Sequence, residues 1–149
     1  MKYPSLTCAY HEAGHALVAL LCGYRVESME LLDASARGLQ ARTRFAGHPK
    51  CPTTAYADLA VTLAGPIAES MLAARDLLDV LNEGKDFQMS DLCRARREAQ
   101  RLWRLHLYHS PDHALLVAET RAREMLNSHW RYWLRQRRRC TRKGGSTKG

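Results

Sequence analysis

The stretch AYHEAGHALVA, residues 9–19, sets two histidines four positions apart with a glutamate between them. Its residues are mostly good helix formers, and on a helix positions i and i+4 lie one above the other on a single face. His11 and His15 can therefore aim their rings at one centre, while Glu12 lies about 100° round the helix, beside that centre. A catalytic divalent metal needs this set: two nitrogen ligands, and a carboxylate close enough to take a proton from the metal's water. Ala13, Ala16, Leu17, Val18, Leu20 and Leu21 make the same helix apolar almost all round, which predicts a buried segment. Polar groups inside a core cost kilocalories each when unsatisfied, and Zn²⁺ with its water would satisfy all three.

A catalytic zinc takes three protein ligands and leaves a fourth position open. The third is to be sought among Glu69, Asp86, Asp91, His106, His109 and His113. Zinc proteases with this motif often draw a carboxylate from a later helix, which favours Glu69, after Pro66, or Asp91, at a helix start.

The elements that must position these groups follow from pattern. The first helix is expected from about residue 5 to 22, with Gly23 as its stop. YRVESMELL (24–32) and GLQARTRF (38–45) read as two strands of a small ribbon. In the second strand Gln40, Arg42 and Arg44 alternate with apolar positions, as at a wet sheet edge. AGHPKCP (46–52) is a loop, and residues 53–74 are helical with a kink or restart expected at Pro66. The helical pattern lapses around 81–91. Residues 91–108 then form an amphipathic helix, with Leu92, Ala95, Ala99, Leu102, Trp103 and Leu105 on its apolar side. Ser110-Pro111-Asp112 opens a last helix to about 137.

The whole chain, 149 residues and 46% hydrophobic, suits one globular domain. The longest clean apolar run, residues 16–22, is far short of the ~18 residues that cross a bilayer, so no membrane span is expected. Five scattered cysteines without a C-x-x-C pair read as reduced thiols of a cytoplasmic protein. The net charge of +8 is concentrated toward the C-terminus, where RYWLRQRRRCTRKGGSTKG ends the chain. This composition predicts a folded unit over 1–137 and a basic, flexible tail over 138–149. Such a tail is compatible with nucleic acid or an acidic partner without indicating either.

The motif resembles the active-site helix of the peptidase domain of the FtsH family, the ATP-dependent zinc proteases. GLQARTRF is similar to that family's edge strand, and LAGPIAES (63–70) to its Gly-Arg-Ala-Ala-Glu-Glu helix. SDL (90–92) resembles its Asn-Asp-Leu segment, whose aspartate is the third zinc ligand, so the resemblance implies Asp91 as ligand with Glu69 as runner-up. It also implies an α+β, mainly α, zincin-like fold: a helical array with a small β-ribbon. The family's phosphate-binding loop and membrane anchors have no counterpart in the sequence, which suggests a stand-alone peptidase domain. By the same analogy a separate ATPase and a homo-oligomer are conceivable partners.

Together these readings predict a zinc metalloendopeptidase acting on flexible or unfolded polypeptides. His11, His15 and Asp91 hold the ion, and Glu12 takes the proton from its water. An extended substrate could add as a strand beside residues 39–45. The rival expectation is a catalytically silent metal-binding interaction module whose basic C-terminal surface does the work.

Overall fold

The computed structural model describes residues 4–34, 38–46, 55–73, 76–83 and 88–143. It is mainly helical. In chain order it has α1 (Pro4–Leu21), β1 (Arg25–Ala34), β2 (Gly38–Ala46), α2 (Ala57–Ala73), α3 (Leu77–Glu83), α4 (Gln88–Arg104) and α5 (Pro111–Lys143). Among the described residues no helix is long and apolar enough to cross a membrane.

The sequence explains where α1 stops. Gly23 takes φ of 91°, a conformation open to glycine at little cost. From there the Gly23 N–H donates to the Leu20 carbonyl at 3.1 Å and the Tyr24 N–H to the Ala19 carbonyl at 2.9 Å, the paired bonds of a Schellman cap. The Tyr24 hydroxyl then donates to Asp58, tying the end of α1 to the start of α2. Burial raises the thiol of neighbouring Cys22, with Asp58 adding to it, to about 11; this cysteine packs as a neutral group.

α1 and α2 are the centre of the molecule. They approach closely because small residues line the contact: a Cβ on Gly14 would fall 2.5 Å from the Ala64 carbonyl oxygen and 2.7 Å from Ala68 Cβ. Val18, Leu59, Val61, Pro66 and Ile67 are fully buried around this crossing. Burying each large aliphatic side chain contributes ~1.5–3 kcal/mol. α5 lays Ala114, Ala118, Ala122 and Leu126, one turn apart, against the same core, and α4 adds Ala95, Ala99 and Leu102. Trp130 of α5 stacks on Tyr10 of α1 with ring centroids 5.5 Å apart.

β1 and β2 form an antiparallel two-stranded ribbon that contacts α1, with Val26 opposite Phe45, Leu31 opposite Ala41 and a register shift between Val26 and Ser28. The side chains of Gln40, Arg42 and Arg44, expected at a wet edge, lie outside the described residues.

Four features depart from the sequence reading. α2 runs through Pro66 as one helix without a restart, and Pro66 is buried among the residues that hold both halves of it. α3 was not anticipated; its seven residues are too few for a periodic signal, although Asp76 caps it by accepting from the Leu78 N–H at 2.8 Å. α5 continues to Lys143, past the expected end near 137. Finally, α4 ends at Arg104, so Trp103 and Leu105, expected on its apolar side, are 45% and 53% exposed.

Candidate metal centre

Three helices bring the polar groups together. α1 contributes His11, Glu12 and His15; α2 presents Val61, Gly65 and Glu69 at successive four-residue steps along one face; the first turn of α4 contributes Asp91. His11, Glu12 and Asp91 are 5–7% exposed; among the described residues Ser70 is the other buried polar side chain.

The two rings face each other, with His11 Nε2 and His15 Nε2 3.0 Å apart. Asp91 Oδ2 completes the triangle at 2.9 Å from His11 Nε2 and 3.3 Å from His15 Nε2. Each ring is fixed from behind. The Val61 carbonyl lies 2.6 Å from His15 Nδ1, and Glu69 Oε1 lies 2.7 Å from His11 Nδ1. A carbonyl oxygen only accepts, so His15 Nδ1 carries the proton and its Nε2 turns a lone pair to the centre. Glu69 orients His11 the same way. With His11 neutral, three acceptor atoms therefore converge on one point, a set that a proton or a cation at that point would satisfy.

A proton is one such species. Burial alone would push the His11 pKa down, but its hydrogen bonds to Asp91 and Glu69 outweigh this and raise it to about 9. For Asp91, burial works upward, yet its interactions with His11 and His15 hold its carboxyl well below the usual carboxylate range. A divalent ion is the other species, and the site has room for it. A Cβ on Gly65 would lie 2.6 Å from His11 Nε2 and would press as closely on His15 Nε2. Zinc–imidazole bonds are ~2.0–2.1 Å long, so glycine at 65 leaves open the volume in front of both lone pairs that an ion would take. Asp91 Oδ1 is engaged by Arg94 at 3.4 Å, which leaves Oδ2 for the centre. Glu12 stands beside this group: its carboxylate and the ring nitrogens of His11 and His15 offer atoms within 4.8 Å of one another.

The expected candidates for a third ligand separate cleanly. Asp91 faces Nε2 of both rings, whereas Glu69 touches the opposite edge of the His11 ring. His106, His109 and His113 line a different hollow, with Trp103, Leu107 and Tyr108, at the turn between α4 and α5. Asp86 lies outside the described residues. Sequence reasoning missed Val61 and Gly65. A main-chain acceptor leaves no trace in side-chain identity, and a glycine before a proline reads as a helix break.

Residues 3–75 match the Peptidase M50B-like family. The match covers just under half of the chain and includes α1, the ribbon and α2. It corrects the resemblance to the FtsH family: the M50B-like region contains the same H-E-x-x-H helix, which many zinc peptidases build alike because the metal dictates the spacing. The FtsH-type fold assignment falls with it. Asp91 lies beyond the M50B-like region, so its part in the centre rests on geometry alone. No curated protein and no solved structure matches the chain.

Proposed function

We propose that this chain is a zinc-dependent endopeptidase that cleaves flexible or unfolded polypeptides. One observation supports the reading most: His11 Nε2, His15 Nε2 and Asp91 Oδ2 converge on one point beside the Glu12 carboxylate, and His11, Glu12 and His15 lie on a helix inside a peptidase-family match. His11, His15 and Asp91 would hold the ion through Nε2, Nε2 and Oδ2. When bound, Zn²⁺ would supply an acidified water and an electrophile for the scissile carbonyl. Glu12 takes the proton from the attacking water and delivers it to the leaving amine. Glu69 and the Val61 carbonyl keep each imidazole in the tautomer that offers Nε2. An extended substrate would run along β2, whose outer edge has no third strand among the described residues.

The test is Glu12→Gln. This variant should retain one metal ion per chain while hydrolysis of an unfolded polypeptide falls by about 10²–10⁴-fold. A zinc-loaded wild-type protein that cleaves no member of a broad peptide library would overturn the proposal.

A further inference from the structure

At the far end of α4 from Asp91, three large apolar side chains stand in solvent: Trp103 at 45% exposure, Leu105 at 53% and Leu107 at 52%. They share the tip with a Schellman cap in which His106 takes φ of 58°, the His106 N–H donates to the Trp103 carbonyl at 2.9 Å and the Leu107 N–H to the Leu102 carbonyl at 3.1 Å. The cap fixes the chain's reversal, so these side chains stay out of the core. Beside them α4 presents a row of exposed arginines. Arg101 is neutralised by Glu98 at 2.6 Å and Arg94 by Asp91, but Arg96, Arg97 and Arg104 have no acidic partner among the described residues.

We infer that this tip docks on an anionic phospholipid surface, Trp103, Leu105 and Leu107 entering the headgroup–acyl boundary and Arg96, Arg97 and Arg104 pairing with lipid phosphates. The two halves of the surface meet the two demands of such binding: apolar area to insert, and cations to hold the insert against a negative leaflet. Neither suffices alone, because a small apolar insertion is reversible and three arginines are screened by salt. Nucleic acid would use the arginines and stack on Trp103, but it gives the two leucines nothing to do. The 13 residues from Asp91 to Arg104 span about 20 Å of helix, so with α4 inclined enough for Arg96 and Arg97 to reach phosphates the histidine centre lies within that distance of the lipid. The inference is independent of whether that centre hydrolyses peptides.

The full chain should co-sediment with phosphatidylcholine vesicles containing phosphatidylserine and fail to do so with phosphatidylcholine alone. Removing any one of the three arginines should weaken binding about fivefold. Replacing Trp103, Leu105 and Leu107 together with serine should weaken it tenfold or more while the circular dichroism spectrum is kept. Tryptophan fluorescence should shift to the blue on binding, and Trp103→Phe should remove that shift although Trp130 and Trp133 remain. The inference is overturned by equal sedimentation of the triple serine variant, which would place binding elsewhere, such as the basic C-terminal end. It is also overturned by absence of vesicle binding, or by duplex DNA competing the protein off vesicles through the same arginines.

Discussion

Glu69 grips His11 from behind, its Oε1 2.7 Å from Nδ1, while Asp91 meets the same ring in front, 2.9 Å from Nε2. One imidazole thus separates two carboxylates that look interchangeable along the chain. The first prediction follows. Asp91→Ala should lose stoichiometric zinc, whereas Glu69→Gln should keep it with affinity weakened about 10–100-fold, the usual effect of an outer-shell partner. Metal content after dialysis against a weak chelator distinguishes the two; the reverse order would assign Glu69 to the ion.

Gly65 supplies the second. An alanine there puts a methyl group against both Nε2 atoms, in the volume an ion would fill. Gly65→Ala should bind little or no zinc while remaining helical, since alanine is the better helix former by ~1 kcal/mol. Isothermal titration with zinc, beside a far-ultraviolet spectrum, reads both. Wild-type zinc affinity in this variant would refute the assigned position.

Proton and metal compete for the same three acceptors, which fixes a pH dependence. With the His11 pKa raised to about 9, zinc must displace a proton at neutral pH. Apparent affinity should rise about tenfold per pH unit up to about 9 and level off above it. Stability of the metal-free chain should move the opposite way. A histidine pKa raised on folding stabilises fully below its unfolded value near 6.5, and that contribution disappears as pH climbs through about 9. Asp91, held low, adds stability that is lost as acid protonates it. Melting temperatures of metal-free protein should therefore fall from about pH 6.5 to about 9 and fall again only below about pH 4.

His106 occupies a left-handed position that glycine normally takes at a helix end. Relieving it by His106→Gly should stabilise the fold by about 1 kcal/mol, the cost a side chain bears in that conformation. For a chain of this size that is a rise of about 2–4 °C in Tm. A fall in Tm would show that the imidazole makes a contact worth more than the strain.

Which parts were legible in advance can be told residue by residue. The gathering of His11, Glu12 and His15 was readable because a helix converts a four-residue spacing into a shared face by local geometry alone. The cap at Gly23 and the opening of α5 at Ser110-Pro111 were readable for the same reason; Ser110 Oγ does accept from the His113 N–H at 3.0 Å. The M50B-like match was not, since the metal imposes the same motif on unrelated peptidases and the match spreads over residues 3–75. Nor could periodicity foresee that α4 would end at Arg104 and leave Trp103 and Leu105 in solvent.

The sequence by itself determined which groups α1 brings together, because the forces involved act within one helical turn. Only the tertiary structure decided which carboxylate faces the ring nitrogens, which main-chain carbonyl sets the tautomer of His15, and which glycine leaves space before them. Those depend on how α1, α2 and α4 cross, and a crossing is set by the packing of small residues such as Gly14, Ala64 and Ala68 between segments about fifty residues apart.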